Sequence, residues 1–211
     1  MEGRSPIFRV RTRGPYACFT RPEFKAERVS YEVITPSAAR GLLEAILWKP
    51  AIRWRVERIH VLAPIRFIAV KRNEVTDKAS PRGGPFFAEE RRAQRNSLLL
   101  RDVDYVIEAS FELTERAGPE DNLVKFIEMF TRRLANGQCF HAPYLGCREF
   151  VARLDPAPST WAIPGELSGE RDLGLMLQDL TFSPDGSGVA RPYFFAAVLR
   201  NGAIAVPEAT P

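Results

Sequence analysis

The sequence predicts an α+β fold on three observations: two stretches with apolar residues at helical spacing, shorter segments that alternate apolar with polar residues, and the order in which these follow one another. From the N-terminus that order is strand, helix, strand, strand, helix, strand, the split βαβ pattern of a ferredoxin-like (RRM-like) βαββαβ domain. Residues 1–155 are assigned to this domain, with a long basic insertion at about 72–100, and residues 156–211 to a linker and a small C-terminal antiparallel β-sheet.

Residues 7–13, IFRVRTR, alternate apolar positions with Arg9, Arg11 and Arg13, as a strand with one buried and one basic face does. After Gly14-Pro15 comes an extended connection in which Tyr16, Phe19, Phe24 and Tyr31 interleave with Arg21, Lys25 and Arg28. Such alternation suits base stacking combined with phosphate neutralisation; it equally suits a loop whose aromatics pin it to the core. Thr35-Pro36 starts a helix, because a Thr side chain accepts from first-turn N–H groups and proline's φ fits the first helical position. Ala38, Leu42, Ala45 and Ile46 form its packing stripe, and Gly41 leaves a gap through which another backbone is expected to approach.

The Trp48-Lys49-Pro50 corner ends that helix and leads into a strand at 52–62, with Ile52, Trp54 and Val56 on one face and Arg53, Arg55 and Glu57 on the other. A further strand-like stretch occupies 65–71. From 72 to 100 no period holds, so this stretch reads as an excursion from the sheet. Its surroundings carry eight basic residues from Lys71 to Arg101, among them Arg72, Arg91 and Arg92, which favours contact with nucleic acid or a partner subunit. A long strand at 103–111 follows and is expected to pair with 52–62. Asp121 is read as the cap of a second helix with Leu123, Phe126, Ile127, Phe130 and Leu134 on its apolar face, closed by Asn136-Gly137. A last core strand is placed at about 145–154, and Asn201-Gly202 signals a hairpin in the C-terminal sheet.

A chain of 211 residues, 45% hydrophobic, has enough apolar surface for a substantial core. No run of about 18 apolar residues and no signal-peptide pattern is present, so a cytoplasmic protein without membrane contact is expected. Cys18, Cys139 and Cys147 lack metal-ligand spacing and read as reduced thiols; neither metal nor cofactor is expected. The net charge of +4 is unevenly spread. Through Arg101 there are 21 Lys and Arg against 10 Asp and Glu, a balance of +11, and the remainder has 9 against 16, a balance of −7. Of the basic residues 25 are Arg and 5 are Lys, and guanidinium both forks onto phosphate and stacks on bases. High-temperature or GC-rich ancestry also enriches Arg, but it does not crowd it into one half.

Several separated motifs carry a family resemblance: Tyr16-Ala17-Cys18-Phe19-Thr20-Arg21-Pro22-Glu23, SYEVITPSAARGLLEAILWKPAIRW, RNEV at 72–75, LLRDVDYVIEASFELT, GQCFHAPYLGCREF and RDLGLMLQDL. In this order, over nearly the whole chain, they resemble the CRISPR-associated Cas-five subunit of type I-C systems, the d subtype. The resemblance implies a subunit that grips the repeat-derived 5′ handle of the CRISPR RNA beside the large and backbone subunits of the complex. It also implies metal-independent cutting of the precursor at the repeat hairpin, in which a base takes the 2′-OH proton, the oxygen attacks phosphorus and an acid protonates the leaving oxygen. On that view Arg9, Arg11, Arg13, Arg21, Lys25, Arg28, Lys49, Arg72, Arg91 and Arg92 are the candidate RNA-binding residues.

The family's cutting residues are a ring side chain just before the Trp-Lys-Pro corner and a Lys-His pair early in the second helix. Here those positions are Leu47, Lys125 and Phe126, and neither leucine nor phenylalanine transfers a proton. Candidate replacements are His141, with Tyr144 and Arg148 close in sequence, and Tyr31; Lys125 either steadies phosphate charge or is an ordinary solvated helix lysine. His60 lies within a strand and reads as structural. Two functions therefore stand: an RNA-binding subunit with weak or relocated cleavage, or a competent endoribonuclease rebuilt around Lys125 with His141 or Tyr31. A DNA-cutting protein is disfavoured by the missing metal-ligand cluster.

Overall fold

In the computed structural model, which describes residues 3–24, 27–77, 80, 84, 86–182 and 190–208, two helices pack against a mostly antiparallel sheet. The elements are β1 (Phe8–Ala17), α1 (Pro36–Ile46), β2 (Ile52–Val61), β3 (Phe67–Val75), β4 (Arg92–Leu113), α2 (Leu123–Ala135), β5 (Arg153–Pro156), β6 (Glu170–Phe182), β7 (Ala190–Arg200) and β8 (Ala203–Ala205). The sheet runs β5-β1-β4-β2-β8-β7-β6, with β3 paired to the N-terminal part of β4. β4 is its spine, pairing antiparallel with β1, β2 and β3 along different parts of its 22 residues. Neither helix is long and apolar enough to cross a membrane.

The core lies where the sheet meets α1 and α2. Phe8, Trp54, Phe111 and Phe130, from three strands and a helix, form an aromatic knot with ring centroids 4.7–5.8 Å apart, mostly edge-to-face. Phe126, Leu42, Leu43, Ile46 and Leu47 belong to the same cluster. Thr35 caps α1 as its sequence predicts, its Oγ1 accepting from the Ala38 N–H at 3.2 Å. The other end of α1 is closed by four different segments. Its Leu43 carbonyl accepts from the Leu47 N–H at 2.9 Å, Ala45 from the Phe140 N–H at 2.7 Å, Ile46 from Arg133 Nη1 at 2.9 Å, and Leu47 from Trp54 Nε1 at 2.9 Å. These bonds satisfy carbonyls that a helix end otherwise leaves orphaned.

Several expectations are corrected. Much of the supposed excursion at 72–100 is regular: β3 and β4 form a long antiparallel arm with Phe67 opposite Leu100 and Val75 opposite Arg92, leading to a short 3₁₀ turn at Ala88–Arg91. Residues 78–79, 81–83 and 85 of that stretch lie outside the described residues. The first strand does not stop before Gly14-Pro15 but continues to Ala17, with Pro15 unpaired opposite Asp102, itself left-handed at φ +53°. A Cβ at position 14 would meet the end of the Leu145 side chain at 2.6 Å and the Val151 carbonyl oxygen at 3.1 Å, so any larger residue there has to displace both. Asn122, not Asp121, caps α2: its Oδ1 accepts from the Lys125 N–H at 2.9 Å, while Asp121 bonds the Gly118 N–H and the Lys125 ammonium. Gly41 is exposed and no backbone approaches it. The strand placed at 145–154 shrinks to β5, and the C-terminal strands extend the main sheet by pairing β8 with β2 instead of standing apart.

Candidate nucleic-acid interface

The charge asymmetry of the sequence is folded onto itself. β1 lies against β4, so the arginines of the basic half meet carboxylates of the acidic half. Arg9 Nε bonds Glu108 Oε1 at 2.9 Å, Arg11 grips Asp104 through two bonds of 2.9 and 2.6 Å, and Arg13 Nη2 bonds Asp155 at 3.0 Å. The hydrogen bond to Asp104 is the main reason the Arg11 guanidinium is held above its ordinary pKa. Arg72 pairs with Glu149 and lies 3.8 Å from Glu74; Arg91 reaches Asp77 at 3.1 Å and Arg92 reaches Glu89 at 3.6 Å. The basic strand face is thus a ladder of ion pairs, in which a phosphate would exchange for a carboxylate.

The loop aromatics divide between both readings made of them. Phe19 and Tyr31 are buried in the core, whereas Tyr16 and Phe24 are exposed. Arg21 stacks over the Tyr31 ring at 4.7 Å from its centroid. Lys25 lies outside the described residues. Arg28 turns inward, donating to Cys147 Sγ at 3.1 Å and lying 3.9 Å from Glu74. Among the described residues Lys49, Arg53, Lys71, Arg132 and Arg148 have no carboxylate within ion-pair distance and are open to solvent on the surface.

The three positions that the resemblance marks for cutting separate by burial. Leu47 is 0% and Phe126 2% exposed, both in the main core. Lys125 remains on the surface, its Nζ 3.0 Å from Asp121 Oδ1 and 5.6 Å from the Phe126 ring centroid. Asp121 is held below the usual carboxylate range, first by the Gly118 N–H and then by Lys125, with Lys49 adding its field. Lys125 thus pairs with Asp121 while Lys49 acts on that carboxylate only through its field, a proximity that the sequence reading missed because 76 positions separate Lys49 from Lys125.

His141 and Tyr31 come together elsewhere. Both line a cleft of about 540 Å³ between α1 and the segment after α2, together with Glu44, Ser37 and Tyr144, and neither lysine borders it. His141 is exposed, its Nδ1 3.2 Å from the Ala142 carbonyl and its ring 6.3 Å from those of Phe140 and Tyr144. Tyr31 is buried at 2% exposure, which pushes its pKa upward, with the Leu177 backbone acting in the opposite sense. A phenol so placed is a poor base and serves better as a hydrogen-bonding wall. A second cleft, of about 600 Å³, shares His141 and is flanked by Arg133, Gln138 and Arg153. His60 sits 3.6 Å from Glu108 and edge-on to Trp161, with burial lowering its pKa, as a structural histidine would.

The model of the family described as CRISPR-associated protein (Cas_Cas5) matches residues 7–207. Two curated relatives, from Mannheimia succiniciproducens and Thermus thermophilus, are both named CRISPR pre-crRNA endoribonuclease Cas5d. Each is 48% identical, the first over 92% of both chains and the second over 94% of this chain and 90% of its own. A solved crystal structure of a CRISPR-associated protein superposes with a TM-score of 0.71 at 25% identity, covering 96% of this chain and 92% of its own. A match of this extent, joined to the motifs and the fold, shows that the chain belongs to the Cas5d family, the type I-C branch of the Cas5 CRISPR-associated proteins.

Proposed function

We propose that the chain is an RNA-binding subunit of a type I-C CRISPR complex that grips the repeat-derived 5′ handle of the guide RNA, with precursor cleavage weak or moved to other residues. The observation that carries this reading is the burial of Leu47 and Phe126 in one apolar cluster, where neither side chain transfers a proton and neither reaches solvent. Residues 1–155 act on this reading as a ferredoxin-like RNA-binding domain, a view supported by the order β5-β1-β4-β2 with every neighbour antiparallel. Residues 156–211 supply the linker and the C-terminal strands. The β3–β4 arm and the solvent-facing lysines and arginines then face the RNA and the large and backbone subunits, in the cytoplasm.

A second reading keeps full endoribonuclease activity, as the relatives' names state of them. It is favoured by the cleft that His141 and Tyr31 both line. Purified protein incubated with a repeat-hairpin RNA in EDTA separates the two. Slow or no cutting with tight binding supports the first; rapid cutting that disappears in His141→Ala establishes the second.

A further inference from the structure

Cys18 follows directly on β1, and Cys147 lies 129 positions later in the segment after α2. The fold brings them into contact. Both are buried, 1% and 4% exposed, in a small cluster with Leu99 that is distinct from the main core. The Cys18 backbone N–H donates to the Leu145 carbonyl at 3.0 Å, Cys147 Sγ lies 4.0 Å from the Cys18 carbonyl oxygen, and Cys18 Sγ lies 3.5 Å from Thr20 Oγ1. Gly146 permits this approach: its φ is +84°, and a Cβ there would fall 2.0 Å from the Cys18 oxygen.

The surroundings polarise the pair. Arg28 Nη1 donates to Cys147 Sγ at 3.1 Å, Glu74 backs Arg28 at 3.9 Å, and Glu149 is the carboxylate that acts on Cys147 in the opposite sense. The nearness of Cys18, together with Arg28, lowers the Cys147 thiol below its ordinary value, while the nearness of Cys147 and burial push Cys18 up. Of the two sulfurs, Cys147 is the one whose surroundings favour the thiolate, with the Arg28 guanidinium 3.1 Å away. Cys18 and Gly146, the residue before Cys147, border the cleft of about 540 Å³, while Cys147 itself does not line it. Cys139 is exposed but stands apart from the pair, its thiol pushed up by partial burial.

We propose that Cys18 and Cys147 are a peroxide-sensitive dithiol that closes to a disulfide and staples the segment carrying His141 and Tyr144 to the end of β1. The Cys147 thiolate attacks one oxygen of hydrogen peroxide, the O–O bond breaks, and the departing hydroxide takes a proton to leave as water. The Cys18 sulfur then attacks the resulting sulfenic sulfur, forming the S–S bond as a second water departs with the Cys18 proton. Two thiols lose two electrons and the peroxide gains them. The assignment does not depend on the RNA-binding reading.

The test starts from fully reduced wild-type protein, treated with a small excess of hydrogen peroxide at pH 7, alkylated, digested and mapped by mass spectrometry. A dominant Cys18–Cys147 linked peptide is expected, with Cys139 recovered as the alkylated thiol and the link removed by dithiothreitol. Its rate of formation should rise with pH to a plateau reached below the range of an ordinary thiol, and Arg28→Met should shift that midpoint upward. Cys18→Ala should leave Cys147 as a sulfenic acid that dimedone captures. Oxidation confined to Cys139, or links that join Cys139 to either partner in place of the pair, would overturn the proposal, and this wild-type map requires no variant to fold.

Discussion

Restoring the family's proton-transfer groups should damage this protein before it improves it. Phe126 is 2% exposed and packs with Phe130 and Leu47 in the main core, with the Lys125 ammonium 5.6 Å from its ring. In Phe126→His the imidazole loses phenyl packing and buries polar nitrogens without partners, for which about 3 kcal/mol is a fair sum of a partial large-to-small loss and one unsatisfied polar group. At roughly 2–4 °C per kcal/mol for a chain of this size, the midpoint of thermal unfolding should fall by about 6–12 °C. Leu47→Tyr overpacks a fully buried site and should add about 1–3 kcal/mol. The pH dependence has a defined sign. Burial and Lys125 depress the new imidazole's folded-state pKa below its unfolded value of about 6.5, so the unfolded chain binds the extra proton and stability falls further as pH drops through that value. Thermal melts of wild type and variants at pH 8 and pH 5.5, paired with single-turnover cleavage of repeat-hairpin RNA in EDTA, measure both quantities. A Phe126→His protein that melts with the wild type and cuts faster would refute the core assignment and place position 126 on the RNA face.

Charge-reversing Arg9, Arg11 and Arg28 together should weaken RNA binding and flatten its salt dependence by about 0.7 in the log–log slope per lost single-strand phosphate contact; an unchanged slope measured by filter binding would assign these arginines to intramolecular pairs alone. Replacing residues 77–90 at the tip of the β3–β4 arm with a short Gly/Ser turn should leave the melting temperature nearly unchanged while impairing assembly into the complex, because Phe87 and the 3₁₀ turn bury little. Arg133→Met removes the donor to the Ile46 carbonyl and should cost about 1–2 kcal/mol in urea unfolding, with no change in m-value.

Both helices were legible because period and punctuation agreed: Thr35-Pro36 and Asn136-Gly137 bracket apolar stripes that the fold buries. The cap of α2 was misread by one position because Asp121 and Asn122 are both good caps, and only geometry decides between them. The β3–β4 arm was illegible for a physical reason. Residues 67–75 alternate only between exposed and half-buried, so no hydrophobic alternation is imposed on them. Net charge misled in another way, since a running sum along the chain carries no register and cannot reveal that Arg11 faces Asp104 and Arg13 faces Asp155. The burial of Phe126 was readable from its place on the helix stripe, whereas the field of Lys49 at Asp121 and the meeting of Cys18 with Cys147 depend on the nearness of distant parts of the chain.

The length of β4 gives the arm a mechanical role. At about 3.3 Å per residue its 22 residues span roughly 70 Å, with the first part serving as the inner rail of the arm and the last part as the floor beneath both helices. A partner that bends the arm therefore pulls on a continuous peptide backbone whose far end is zipped between β1 and β2. The weakest hold is expected at Asp102, where left-handed backbone faces the unpaired Pro15 and the ladder to β1 skips a rung. Strain applied outside the core therefore meets that missing rung before it reaches the strands beneath α1 and α2.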